Sequence, residues 1–127
     1  MKKQLSCLLV DDLSENRELL RRMVERTGFV ATVVEAADGA AAVEMIRGTR
    51  PDMVITDIQM PTMDGWELVQ WLRDQEQYGR LPVMTVSSMD PEELRSRSAR
   101  MGVSVVLPRP FLLEEFTEAF GRLHAQV

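Results

Sequence analysis

Asp11 and Asp12 directly follow the apolar run Leu8-Leu9-Val10, and Asp57 closes a second run, Met53-Val54-Ile55-Thr56. A carboxylate at the end of a buried run is poorly solvated, and several in one crevice raise one another's pKa unless a cation compensates. Magnesium suits such a set, because it prefers hard oxygens, keeps several waters and is commonly held by one or two carboxylates together with phosphate oxygens. A site of that kind can receive a phosphoryl group. One carboxylate would be the nucleophile, the metal would neutralise charge, and a hydroxyl and a cation would meet the remaining oxygens. Ser87-Ser88, after the run Pro82 to Val86, offers the hydroxyl, and Arg109, after Val103 to Leu107, offers the cation.

For these residues to meet, the chain must bring the ends of four apolar runs to one edge. The pattern provides for this, since short apolar runs alternate with segments of helical period. Leu8-Leu9-Val10 reads as the first strand, followed by a helix with Ser14 as N-cap and Leu19, Leu20, Met23 and Val24 on its inner face. Val30 to Val34 reads as the second strand, and Asp38 caps a helix with Ala42, Val43 and Ile46 inward and Arg47-Gly48 at its end. Met53 to Thr56 is the third strand. Asp64 with Glu67 forms a capping box for a helix that buries Leu68, Val69 and Leu72. After the fourth strand, Pro82 to Val86, Asp90-Pro91-Glu92-Glu93 supplies a cap, a first-turn proline and early acids. Val103 to Leu107 is the fifth strand, and the last helix carries the stripe Leu112, Leu113, Phe116, Phe120 and Leu123.

Strict alternation predicts an α/β fold, a doubly wound five-stranded parallel sheet with five helices covering both faces. Right-handed crossovers leave few topologies, and the flavodoxin-like order 2-1-3-4-5 is the commonest for this count. In that order strands 1 and 3 are neighbours at the switch point, where ligands bind outside the carboxyl ends of the strands. Asp11, Asp12 and Asp57 end those two strands.

The 127 residues, 45% of them apolar, predict one domain spanning 1–127 with no room for an output domain. Lys2-Lys3 before Leu5 to Val10 looks like the start of a secretory signal, but Asp11-Asp12 interrupt it too early. No run reaches membrane-spanning length, so the expectation is a cytoplasmic chain with no membrane partner. A net charge of −5 argues against direct binding to nucleic acid, which needs a basic footprint. Cys7 is expected to be a small buried hydrophobe, and His124 to be a cation in the last helical turn.

Taken together these residues closely resemble the receiver domains of two-component response regulators, the CheY-like family. The resemblance covers essentially the whole chain. It rests on Asp11-Asp12, on Asp57 followed by Met60-Pro61 and Met63-Asp64-Gly65, on Ser87, on Gly102 and on Arg109-Pro110-Phe111. It implies that Asp57 accepts a phosphoryl group from a histidine of a sensor histidine kinase or a histidine phosphotransfer protein. It implies that Asp12, Asp57 and the backbone carbonyl of Gln59 bind Mg²⁺ directly, with Asp11 acting through water. Ser87 would hydrogen-bond a phosphoryl oxygen, and Gln59 and Met89 would flank the group and tune its hydrolysis. Met89 offers a hydrolytic water no hydrogen bond, so a long-lived phospho-state is expected. A downstream protein or a second copy would dock on the face made by helix 4, strand 5 and helix 5, where Arg95, Arg97 and Arg100 form a basic stripe. Such a chain would be a switch and not an enzyme, its only catalysis being phosphoryl transfer to, and hydrolysis from, its own Asp57.

Two departures bear on that switch. Arg109 stands where the family almost always has lysine, and a planar fork is not a point charge. Arg109 could therefore contact the phosphoryl group or simply pair with the acidic crevice. Val106 stands where many members carry the Tyr or Phe that swings inward with the hydroxyl residue. Pro108 requires strand 5 to be an edge, and Arg109-Pro110 is a site where a cis bond is affordable. These departures keep open a pseudo-receiver, a phosphorylation-independent protein-binding module. A small metal-dependent phosphatase would use the same aspartates, but the chain lacks a cap domain, a general-base histidine and a Gly-rich phosphate loop.

Overall fold

Residues at alternate positions of each predicted strand are apolar on both sides, which is the pattern of a sheet covered on both faces. The computed structural model describes residues 4–30 and 32–127; Lys2-Lys3 and Ala31 lie outside the described residues. The elements are β1 (Ser6–Val10), α1 (Ser14–Thr27), β2 (Thr32–Ala36), α2 (Gly39–Thr49), β3 (Met53–Asp57), α3 (Gly65–Asp74), β4 (Val83–Ser87), α4 (Pro91–Arg100), β5 (Val105–Pro108) and α5 (Leu113–His124), with a 3₁₀ turn at Glu76–Tyr78. All pairings are parallel and the strand order is β2-β1-β3-β4-β5, as expected.

The alternation along β1 divides the core. Cys7 and Leu9 face the layer formed by Leu20 and Val24 of α1 with Phe116, Phe120 and Leu123 of α5. Leu8 and Val10 face Ala42 and Ile46 of α2 with Leu68, Val69 and Leu72 of α3. Cys7 is fully buried, which pushes its thiol far above the ordinary range and leaves it an inert small hydrophobe. Among the described residues no helix is long and apolar enough to cross a membrane.

Several boundaries differ from expectation for physical reasons. Leu13, and not Ser14, is the N-cap of α1, and no side chain caps it. The turn is closed instead by Asp11, whose Oδ1 accepts the Leu13 N–H at 2.9 Å. β2 starts two residues later than expected because its register ends at Val10 opposite Ala36, and Gly28 (φ 75) must first turn the chain out of α1. α2 runs through Gly48 to Thr49, and Arg50, at φ 48, takes the left-handed cap position. β5 begins at Val105, because Val103 is still held to the end of α4 by its N–H on Ser98 O at 2.9 Å. Leu19, Leu112 and Leu113, expected inward, are exposed at 55%, 64% and 42%. The caps at Asp38, Asp64 and Asp90 form as expected, with the reciprocal Asp64–Glu67 pair complete. Pro108 falls within β5, where an edge strand has no ladder bond to lose on its outer side.

One buried polar contact links the sheet to α4. The Thr85 and Ser98 hydroxyls meet at 2.8 Å, and both residues are fully buried. Ser98→Ala leaves the Thr85 hydroxyl buried without that partner and is expected to cost about 1–3 kcal/mol in chemical denaturation. Thr85→Val combined with Ser98→Ala is expected to recover most of the loss, because both partners then leave together.

Candidate functional site

β1 and β3 are neighbours, with Val10 opposite Thr56, so the residues that follow them emerge side by side at the carboxyl edge of the sheet. Asp11, Asp12 and Asp57 each place a carboxylate oxygen within 4.8 Å of the others. Asp11 is fully buried, Asp57 nearly so, and Asp12 is exposed.

Backbone and side-chain contacts fix this group. Asp57 Oδ1 accepts the Ile58 N–H at 2.7 Å, and Asp11 Oδ1 accepts that of Leu13. The Arg109 guanidinium then spans the two Oδ2 atoms, with Nη2 3.0 Å from Asp11 and Nη1 3.5 Å from Asp57. Burial and the neighbouring Asp11 charge push the Asp57 carboxyl above its ordinary range, against the opposing pull of the Ile58 N–H and Arg109. Arg109 itself is aimed inward by β5, its N–H bonding Ser87 O at 2.8 Å, and the Arg109-Pro110 bond is cis.

Ser87 ends β4 fully buried, one position beyond the Asp57–Val86 register pair, and its Oγ accepts the Met89 N–H at 3.2 Å. Gln59 is exposed just past Asp57, and Met89 is half-buried beside Ile58 and Trp66. Val106 packs in the same cluster, under Leu94 of α4. Trp66 is buried there with the Arg97 guanidinium 4.7 Å above its ring, so it is placed to report on the loop after β3.

Two supporting residues were not assigned these roles from the sequence. Arg17 donates to the Asp11 carbonyl at 2.6 Å while pairing with Glu35 at 3.0 Å, and Arg21 holds the other Glu35 oxygen at 2.8 Å. No spacing in the sequence marks that clamp, because Asp11 lies before α1 and Glu35 on β2. Gly65 packs so tightly that a Cβ there would collide with the Asp57 carbonyl oxygen and lie 2.8 Å from Ile58 Cα. Its place in the Met63-Asp64-Gly65 motif was the available signal.

The Glu35 clamp predicts a pH dependence. Burial raises the Glu35 carboxyl, but the hydrogen bonds and charges of Arg21 and Arg17 outweigh it and hold the group below its ordinary range. A depressed acid stabilises the fold above its unfolded-state pKa, and that contribution is lost as pH falls through the folded value. Glu35→Gln is therefore expected to lower stability at neutral pH by about 0.5–1 kcal/mol and to leave it unchanged in strong acid, read from melting curves across pH.

An open cleft of about 440 Å³ adjoins the acids, lined by Asn16, Leu19, Leu20, Ser88, Arg109, Pro110 and Phe111. The donor set suits magnesium by its chemistry, since the convergent carboxylates offer the hard oxygens such an ion takes one or two at a time beside its waters.

Comparison with known proteins agrees with this geometry. The family model described as the response regulator receiver domain matches residues 7–121. The chain is 39% identical to the response regulator MprA of Mycobacterium ulcerans over 108 residues, 85% of this chain and 45% of that protein. It is 34% identical to the hybrid signal transduction histidine kinase D of Dictyostelium discoideum over 85% of this chain, but only 7% of the kinase. The chain thus spans less than half the length of either protein. Among solved structures it is similar to the Vibrio cholerae chemotaxis protein CheY4, with TM-score 0.84 and 28% identity, covering 95% of this chain and 99% of the other. Sheet order, acidic site and family model agree, and the chain belongs to the response regulator receiver domains.

Proposed function

We propose that this receiver domain accepts a phosphoryl group on Asp57 in a magnesium-dependent step and thereby switches a protein-interaction surface in two-component or phosphorelay signalling. The observation that carries the proposal is the Asp57 carboxylate itself, fixed by Ile58 on one oxygen, with its other oxygen toward Asp11, Asp12 and a cationic side chain. Asp12, Asp57 and the Gln59 carbonyl would hold Mg²⁺, with Asp11 acting through water. When bound, the ion neutralises charge on the incoming phosphoryl oxygens.

Asp57 Oδ2 attacks the phosphorus of a phosphohistidine, the P–N bond breaks as the P–O bond forms, and the imidazole leaves with its proton. Buried Ser87 supplies the hydroxyl for a phosphoryl oxygen, and Arg109 supplies positive charge at the same edge. The chain is its own substrate in this step and turns over no other. Met89 gives water no polar foothold, so the phospho-state is expected to outlast minutes at neutral pH; a half-life of seconds would contradict that role for Met89.

The donor is a sensor histidine kinase or a histidine phosphotransfer protein, a partner supported by the kinase among the relatives. The exposed Leu13, Leu19, Leu112 and Leu113 lie in the segments around the acidic edge and suit an apolar helical surface. The downstream protein, or a second copy, uses the α4-β5-α5 face, where Arg95 and Arg122 border a hollow of about 220 Å³ with Val106 in its wall. A phosphorylation-independent binding module is the second reading, favoured by the Arg109 ion pairs and by Val106 in place of an aromatic ring.

The test is phosphoryl incorporation from a phosphohistidine donor, followed by intact mass. Mg²⁺-dependent gain of one phosphoryl group by the wild type and none by Asp57→Asn is expected. No gain by the wild type would leave the binding module, and an undiminished gain by the variant would remove Asp57 from its role.

A further inference from the structure

A third buried cluster, separate from the two main layers, joins the loop after β3 to α4. Ile58, Trp66 and Leu94 form it, with Met89, Met101 and Val106 packed at its edge, so Trp66 supplies its only ring. Backbone ties Trp66 to the acidic site. It follows Gly65, whose N–H bonds Ile58 O at 2.8 Å and whose lack of a Cβ lets the turn close on the Asp57 carbonyl. Ile58 in turn donates its N–H to Asp57 Oδ1 at 2.7 Å. Toward α4, the Trp66 ring carries the Arg97 guanidinium 4.7 Å from its centroid, an attraction between a cation and an aromatic face. Arg97 is exposed, so its contact with the buried ring can be removed without opening the core. α3 grips the same region once more, where Arg73 donates to the Met101 and Gly102 carbonyls at 3.2 Å, but that contact is to backbone past the end of the helix.

We propose that Trp66 is a positioning residue that links occupancy of Asp57 to α4, with Arg97 as its contact on that helix. This rests on the proposed function and deepens it, by naming the side chains that join the phosphoryl acceptor to the α4 part of the interaction face. Gly65 leaves no slack between the Asp57 backbone and the first turn of α3, so a displacement of Asp57 or Ile58 is carried to the Trp66 ring. The ring passes it to α4 through packing on Leu94 and through the charge of Arg97. Coupling of this kind is reciprocal, so a partner that holds α4 also steadies Trp66 and, through Ile58, the nucleophile.

The experiment is ¹⁵N NMR of the full chain, backbone amides and indole N–H groups, through addition of Mg²⁺ and then beryllofluoride, on wild type, Arg97→Met, Arg97→Lys and Trp66→Leu. Circular dichroism establishes that each variant is folded, and the two Arg97 variants carry the test if Trp66→Leu is not. In the wild type the Trp66 indole resonance is expected to move with beryllofluoride, while that of Trp71, which stacks on Tyr78 and Arg47, serves as internal reference. In Arg97→Met the equilibrium constant for the α4 response, read from the Leu94, Ser98 and Arg100 amides, is expected to fall roughly 2- to 5-fold, the effect of losing one exposed cation–π contact. Arg97→Lys keeps a cation for the ring and is expected to retain most of the response, and Trp66→Leu is expected to lose more of it than Arg97→Met. In every variant the Asp57 and Ser87 amides are expected to shift still. An α4 response of wild-type size in Arg97→Met, one as weak in Arg97→Lys as in Arg97→Met, or a Trp66 indole resonance that stays still in the wild type would overturn the role of this pair while leaving the phosphoryl site in place. Absence of any shift at Asp57 in the wild type would overturn the pair and the proposed function together.

Discussion

Asp57→Asn is expected to melt at a higher temperature than the wild type in metal-free buffer at neutral pH. The Asp57 carboxyl is pushed up by burial and by Asp11, so its charged form is less favourable in the folded chain than in the unfolded one. A group with a raised folded pKa makes its full contribution below its unfolded value and loses it as pH rises through the folded value. At neutral pH the folded chain bears that cost, and an amide of the same shape removes it. The gain should be on the order of 1 kcal/mol, roughly 3–5 °C for a domain of this size. It should vanish in acid, where the wild type is protonated as well. Mg²⁺ should then raise the wild-type melting temperature by linkage and leave the variant nearly unmoved. Differential scanning calorimetry across pH, with and without Mg²⁺, reads both. A variant less stable than wild type at neutral pH would mean that Arg109 and the Ile58 N–H stabilise the charged carboxylate more than burial and Asp11 oppose it.

Gly65→Ala is expected to have the largest effect on the fold among single methyl additions. The added Cβ meets backbone on two sides, the Asp57 carbonyl and Ile58 Cα, and neither can move without displacing the nucleophile or tilting α3. The Gly65 N–H to Ile58 O bond, at 2.8 Å, holds the same junction closed. A loss of about 2–4 kcal/mol is expected in denaturant unfolding, with weakened Mg²⁺ binding in the folded fraction. The contrast is Gly48→Ala within α2, where the new methyl meets nothing within 4 Å. That change should stabilise by about 0.5–1 kcal/mol through helix propensity alone. Comparable behaviour of the two variants would mean that the junction after β3 yields more easily than its close contacts indicate.

The sheet order was legible because each strand's period and each helix's cap agreed, and parallel βα units then leave few arrangements. The acidic triad was legible for the same reason: once β1 and β3 are neighbours, the residues after them must converge. Ends of elements were less legible, because tertiary contacts decide them. Asp11 closes the turn before α1 in place of the expected Ser14 cap, since the same aspartate already points back into the loop. β2 shifted to Thr32–Ala36 because pairing with Val10, and not local propensity, sets where it stops. Leu112 and Leu113 fit the helical period yet lie exposed at the cap and first residue of α5, whose buried stripe starts only at Phe116. The Arg17–Asp11 and Thr85–Ser98 contacts join residues of different segments, and no periodicity marks such contacts.

The most direct test of Asp57 as a magnesium-dependent phosphoryl acceptor is a backbone-amide NMR titration with Mg²⁺ and then beryllofluoride, which stands in for the phosphoryl group. Shifts at Asp12, Asp57 and Ser87 in the wild type, absent in Asp57→Asn, are the predicted result, and their spread into β5 and α4 would trace the switch through Val106 and Ser98. A spectrum unmoved by either ligand, or one that moves equally in Asp57→Asn, would contradict it.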